Sequence, residues 1–499
     1  MAAAMDPQVG CGLVQLPLEV LIRITYFIPT KDLGSVRLSC RALEEGLFSF
    51  FSHEFFRKKQ FMVSTDSLQA LIDISKHPTL SPFLKHVIIC ADRPSHTKWV
   101  QDRNDEARAL LEIANADHMH LLATGGLRDM LAEAFARLKN LETVDIRDFE
   151  SRSRNRDGFG AHWRSYGAVT MAASTAAPVQ LGPRGDQDPY PSQLFGAVTA
   201  ALAAASARPK SIEVLLRSGN WHPFALYDTA FYIPPRMEAS MSSLLAGLKT
   251  LHLALTFSHT SRIRPFIFQK FLSLAPNLTW LRLNFNHTHK VDCDEVLSWL
   301  ALNDNNQTPQ ASFDMGPIQL RHLERLDLGD AETESKTLLK LVAKFAPTLT
   351  SLYLRRVNLY EADSRLKDPK VTPWVGFLSV MAKMPGLRLR VLDLSSIQHS
   401  GTGWSGQVVF KSPNKGGPLR NWTCSANTVT MDKAVAQASE ALDPKWPLDE
   451  PDPMSGKEGT FLYFFQRGSL TAYAEDEDEE NEDDEDDDND DGEANSDDE

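Results

Sequence analysis

The sequence predicts an α/β protein in three parts: a small three-helix module, a long irregular α/β solenoid, and a disordered acidic C-terminal tail. Three observations carry this reading. Apolar residues at helical spacing, interrupted by prolines, occupy residues 13–60. A six-residue pattern, LxxLxL, recurs along most of the remaining chain. Finally, 19 acidic residues and no Lys or Arg lie between Glu475 and Glu499.

The helical module comes first. Pro17 stands where a helix can start, because proline is tolerated at the first helical position. Val20, Leu21, Ile24, Phe27 and Ile28 follow at helical spacing, and Pro29 ends the run. Thr30 can cap a second helix with Asp32 in its first turn. A third helix starts near Ser39 and runs through Leu43 and Leu47. Three short helices are too small to be stable alone, so they need a partner or the rest of the chain.

The pattern that follows is different. "LKTLHL" from Leu248, "LTWLRL" from Leu278, "LERLDL" from Leu323, "LTSLYL" from Leu349 and "LRVLDL" from Leu389 all read LxxLxL. "LKHVII" from Leu84, "LETVDI" from Leu141 and "IEVLLR" from Ile212 are weaker copies. A period-2 LxL is a short strand with one buried face. Its recurrence is the signature of a leucine-rich-repeat-like solenoid, here with irregular spacing. Helical runs precede the strands: Leu127 to Leu138, "PFIFQKFLSLAP", "KTLLKLVAKFAP", and Trp374 to Met381. Several stop at a proline before the next strand, at Pro276, Pro347 and Pro385. Alternating helix and strand implies parallel strands joined by right-handed crossovers.

The expected boundaries are a disordered stretch at 1–12, the helical module at 13–60, the solenoid at 61–400, an irregular cap at 401–473 and the tail at 474–499. Residues 150–192, rich in Arg, Gly, Ala and Pro, read as a loop-like insertion between repeats. Phe461–Gln466 reads as a closing strand on the solenoid edge.

Composition narrows the function classes. Without the tail, 47 acids face 52 bases, so a mildly basic body carries a strongly acidic end. Such a tail repels itself and cannot bury apolar surface. Five scattered cysteines with no CxxC spacing indicate neither a zinc ribbon nor a disulfide framework. They fit a reduced intracellular protein of cytoplasm or nucleus. "MAAAMDPQVGCG" lacks the pattern of a signal peptide. No apolar run of the length a membrane span needs, about 18 residues, is present.

The opening stretch resembles an F-box. The matching features are Leu16-Pro17, Glu19, Val20, Leu21, Ile24, the Pro29 break, Asp32-Leu33, Val36, Leu38 and the Cys40-Arg41 pair. Ala42-Leu43 stand where the family usually has a tryptophan. With "HEFFRKKQF" after the box, the whole chain looks like the F-box proteins of filamentous fungi. The resemblance implies that the module docks on a Skp-type adaptor and through it on a cullin–RING scaffold. The repeats would then capture an unknown protein substrate for ubiquitination. It also implies that Leu16, Pro17, Val20, Leu21, Ile24, Leu33, Val36 and Leu38 include the adaptor-contacting residues. Any of them can instead pack the three helices together.

Strand parity locates a substrate face. The second and third leucines of each LxxLxL point into the core, so their neighbours share the opposite face. That sets Asp145, Arg147, His252, Trp280, Arg282, Asn284, Arg325, Asp327, Tyr353, Arg355 and Asp393 on one surface. Tyr, Trp and Arg are the residue types that anchor interfaces. The plain alternative is a solvated sheet face.

Other chemistry finds little support. "HTHKVDCDE" from His287 and "DHMH" from Asp117 fit no standard metal spacing, and no metal or other cofactor is expected. "GTGWSGQVVFKSPNKGG" lacks phosphate-loop spacing, and there is no GxSxG elbow. No base pairs with any lone cysteine, so the expectation is a non-catalytic receptor. "SRSRNRDGFGAHWRSYG" mixes arginines and aromatics. Packing on the solenoid rim ranks first for it, an acidic substrate segment second, and nucleic acid last. Two alternatives to a ligase receptor stand: a repeat scaffold whose F-box recruits nothing, and an acidic-tailed, chaperone-like nuclear protein.

Overall fold

The computed structural model describes residues 12–91, 93–94, 105–152, 155–158, 162–176, 188–217, 224–257, 264–286, 288, 290–303, 315–360, 373–401, 404–410 and 419–425. The chain divides into Met1–Pro447 and Leu448–Glu499, and the second unit lies wholly outside the described residues. The expected acidic tail and the closing strand at Phe461–Gln466 therefore fall outside them.

Three helices open the first unit: α1 (Leu18–Thr25), α2 (Thr30–Leu38) and α3 (Arg41–Phe56). Pro17 and Pro29, both with φ of −53°, stand immediately before α1 and α2. Their fixed φ suits a helix entry, and Pro29 also ends what precedes it. Leu21, Leu43 and Leu47 form a buried cluster joining the helices, with Leu16, Ile22, Val36 and Cys40 packed around it.

Among the described residues the main sheet has eleven strands. Its principal parallel strands are β1 (Lys58–Phe61), β2 (His86–Cys90), β3 (Thr143–Arg147), β6 (Ser211–Leu215), β8 (Thr250–Thr256), β9 (Trp280–Asn284), β10 (Arg325–Gly329), β12 (Ser351–Arg355) and β14 (Val391–Ser395). They lie side by side in chain order, and short β7 (Leu226–Tyr227) also pairs with β8. β17 (Asn421–Ser425) closes the sheet antiparallel to β14. A separate hairpin joins β4 (Ser151–Arg152) to β5 (His162–Trp163). A second sheet collects β11 (Glu332–Glu334), β13 (Asn358–Tyr360), β15 (Gln398–Gly401) and β16 (Trp404–Gln407).

Parallel strands need long crossovers, and helices supply them. These are α4 (Thr65–Lys76), α5 (Asp105–Thr124), α6 (Gly126–Phe135), α7 (Ala168–Thr175), α8 (Tyr190–Ala204), α9 (Glu238–Leu245), α10 (Arg264–Ser273), α11 (Lys290–Leu300), α12 (Ser335–Phe345) and α13 (Pro373–Met381). Their apolar faces and the inward leucines of the strands make one continuous buried cluster, which includes Leu326, Leu328, Leu338 and Leu341. Ser64 accepts a bond from Ser67 N and caps α4. Asp330, Arg356 and Ser396, the first residues after β10, β12 and β14, all sit at φ of 51–52°. Each donates its backbone N–H to the next strand or turn in line: Arg355 O, Ser395 O and Arg420 O respectively. Successive units thus repeat their turn as well as their strand.

Each of the eight LxxLxL segments holds a strand, but one was read in the wrong phase. Ile212 pairs with Val144 and Leu251, so it fills the second leucine position, three residues from the place assigned to it. The sheet also starts earlier than expected. Lys58–Phe61 pairs with His86–Ile89, which moves the end of the 13–60 module into the sheet. "KKQF" carries one apolar residue in four and hides its period. The 150–192 stretch, read as loop-like, contains β4, β5 and α7 and the start of α8. The strand that closes the sheet, β17, lies in the region read as an irregular cap.

Candidate functional site

Two surfaces stand out, one on the helical module and one on the open sheet face. On the module, Pro17, Val20 and Leu38 are exposed, Leu38 to 84%. Leu16, Ile24 and Val36 are half-buried, and Leu16 and Val36 pack on the small core. Leu21 and Leu33 are buried, and Leu21 belongs to the module's own core. Further exposed apolar side chains had gone unnamed as contacts: Leu13, Val14, Leu18, Tyr26 and Phe27, the last 82% exposed. Tyr26 and Phe27 line a shallow groove with Glu19, Ile22 and Arg23. Phe27 follows the apolar spacing of α1 but lies beyond its last residue, Thr25, and is exposed.

On the sheet, the register aligns side chains into rows. Asp145, Glu213, His252, Arg282, Asp327, Tyr353 and Asp393 occupy one row. Trp280 pairs with Arg325 in the row on one side, and Asn284, Gly329 and Arg355 line up on the other. All eleven residues assigned to this face by parity share it. Glu213 belongs with them and was missed because its strand was read three residues out of phase.

Within the face, four of the eleven are buried: Asp145, Arg147, His252 and Asp327. Neighbouring strands about 4.8 Å apart cover one another's side chains, which parity alone does not reveal. Asp145 pairs with Arg147, and His86 Nε2 lies 3.5 Å from its carboxylate. Burial works to raise the Asp145 carboxyl, but Arg147 and His86 outweigh it and hold the group below the ordinary range. Burial, reinforced by Arg282 and Arg325, keeps His252 well below the usual histidine value. Asp327 is raised by burial even though Arg325 binds it at 3.0 Å.

The half-exposed part is an aromatic–arginine stack. The Arg325 guanidinium lies 3.8 Å from the Trp280 ring centroid and 4.1 Å from that of Tyr353. His252 meets Trp280 edge-on at 4.3 Å. Arg282 and Arg355 flank the stack in register. Asp393 is taken up by Ser395 and Thr423, each donating at 2.6 Å. Planar, pre-ordered groups of this kind bind with little loss of side-chain freedom.

The remaining motifs have structural roles. Asp117 accepts from Thr65 N at 2.8 Å at the start of α4, and buried His118 bonds Val63 O at 3.0 Å. Cys293 is fully buried and its thiol is pushed up by desolvation, which suppresses the nucleophilic thiolate. His287, His289 and residues 402–403 and 411–417 of the Gly401–Gly417 stretch lie outside the described residues. Among the described residues no group of three His, Cys, Asp or Glu could hold a metal ion, and no helix is long and apolar enough to cross a membrane.

No protein-family model matches the chain, and no curated protein is significantly similar to it.

Proposed function

We propose that this protein is the substrate-recognition subunit of an SCF-type ubiquitin ligase. In this reading the N-terminal module is an F-box that docks on a Skp-type adaptor bound to a cullin–RING scaffold. The sheet is a divergent leucine-rich-repeat solenoid whose polar face captures a protein substrate. The observation that carries the reading is the apolar surface of the module. A unit with three buried leucines in its own core leaves Leu18, Val20, Phe27 and Leu38 in water. Exposed apolar clusters of this kind are interaction surfaces. The F-box-like order of Leu16-Pro17, Pro29 and Cys40-Arg41 supports the choice of partner. The Trp280–Arg325–Tyr353 stack supports a protein-binding role for the sheet. The receptor has no reaction of its own; it raises the local concentration of substrate beside the ubiquitin-loaded enzyme.

The test is capture of the full chain by an immobilised Skp-type adaptor, with Leu16→Ala/Pro17→Ala and Leu38→Ser variants in parallel. Capture that fails in both variants is expected. Equal capture of all three chains, or of none, removes the ligase reading and leaves a binding scaffold.

A further inference from the structure

The helical module and the sheet have separate cores. Leu21, Leu43 and Leu47 form one cluster and the leucines beneath the sheet form another. The cluster of three leucines is a small core for helices of 33 residues, and side-chain contacts from the segment between β3 and α7 reach all three helices.

Arg156 and Asp157 act on opposite ends of the α1–α2 corner. Arg156 pairs with Glu54 of α3, and both side chains are largely buried, at 4% and 15% exposure. Its Nη1 also donates to Thr25 O at 2.9 Å, and its guanidinium lies 5.8 Å from the Tyr26 ring centroid. Thr25 is the last residue of α1, where carbonyls lack intrahelical partners and positive charge is favoured. Asp157 accepts from Thr30 N at 2.7 Å and from Thr30 Oγ1 at 2.6 Å. Thr30 opens α2, and the preceding Pro29 offers no side-chain acceptor. Asp157 thus caps from 127 positions away, with the charge that a helix N-terminus favours. Trp163 stacks on Phe55 at 5.9 Å and 15°. On the sheet side, Tyr166 N donates to Gln60 O at 2.8 Å, and the Gln60 side chain bonds Ser165 and Ser151.

From these contacts we infer that Arg156 and Asp157 are positioning residues, and that they form, with Trp163, Ser165 and Tyr166, a brace holding the module folded and in fixed orientation on β1 before any partner binds. The brace grips Thr25, Tyr26, Thr30, Glu54 and Phe55. None of these is among the eight residues expected at the adaptor contact, and Pro17, Val20 and Leu38 stay exposed. Only the brace's consequence for adaptor binding rests on the ligase reading; the brace itself does not.

The experiment compares the full chain with its Arg156→Ala/Asp157→Ala variant, without adaptor. Amide exchange in α1 to α3 is expected to quicken about 30-fold or more, while β8 to β14 keep their protection. Spin labels at Ser35 and Lys249 should give a narrow distance distribution in the parent and a broad one in the variant. Asp157→Asn, which keeps an acceptor for Thr30, should stay near the parent in both readouts. Unchanged exchange and an unchanged distance distribution overturn the brace. If the double variant loses the sheet as well, Trp163→Ala decides: faster exchange confined to α1–α3 supports the proposal, and faster exchange shared with the sheet, or none, overturns it. Both readouts are independent of the adaptor, so failure of the ligase reading is distinguishable from failure of the brace.

Discussion

Arg147→Ala should convert a stabilising carboxylate into a liability whose size depends on pH. Asp145 has no exposure and Arg147 only 5%, so the charge on Asp145 is tolerated because the guanidinium is there. Removing one partner of a buried pair costs about 3–5 kcal/mol. In the parent, the Asp145 carboxyl lies below its ordinary 3.8. It therefore contributes stability above that pH and loses it as pH falls through the folded value. In the variant only His86 is left to oppose desolvation, and the folded value is expected to rise above 3.8. The sign then reverses, and stability is lost as pH rises through the new value. The deficit relative to the parent should be about 3–5 kcal/mol at pH 7.5 and smaller by at least ~1 kcal/mol at pH 4.5. Urea unfolding midpoints at the two pH values measure it. Adding Asp145→Asn should recover most of the loss at pH 7.5 by removing the orphaned charge. An equal deficit at both pH values, unaffected by Asp145→Asn, would refute the electrostatic reasoning. It would assign the contribution of Arg147 to packing on Phe149, whose ring centroid lies 5.3 Å away.

Three other outcomes are expected. Phe27→Ser should leave the melting temperature nearly unchanged, because the ring is already 82% exposed; under the proposed docking on a Skp-type adaptor, affinity for that adaptor, measured by calorimetry, should fall about tenfold or more. Gly329→Ala should cost no more than about 1 kcal/mol by urea unfolding, since a Cβ there would meet the Asn284 side-chain amide oxygen, the end of a side chain that can turn aside; a larger loss would show that Asn284 is held rigidly. Desolvation depresses buried His399 to about 4 and holds buried His252 well below its ordinary 6.5, so stability should be full above pH 6.5 and decline as pH falls toward 4. His399 alone accounts for about 2 kcal/mol at pH 5, and a melting temperature flat between pH 7 and 5 would contradict it.

The fold was legible where leucine marks the inward positions. "LTWLRL" and "LERLDL" each allow one phase, and their strands pair Leu281 with Leu326 and Leu283 with Leu328. In "IEVLLR" both Ile212/Val214 and Leu215 compete for the inward face, and only pairing with β3 decides between them. The side-chain rows of the sheet followed from parity. The burial of Asp145 and His252 did not, because it depends on which strands lie alongside. Least legible was the brace: nothing near Arg156 in sequence indicates Thr25 or Glu54. Its arginines and aromatics point to packing on the solenoid rim, and the contacts of Ser165 and Tyr166 with Gln60 on the edge strand match that, but its grip on the helical module has no signal in the sequence.

The antiparallel β17 bears on assembly. A run of parallel strands is a directional template: each edge offers the next strand the same register that it received. Left open at β14, that edge could accept the first strand of another copy, and head-to-tail addition of this kind does not close. β17 reverses direction and meets Val391–Ser395 residue for residue. Five residues thus take up the β14 edge from within the chain itself, and the parallel register stops there.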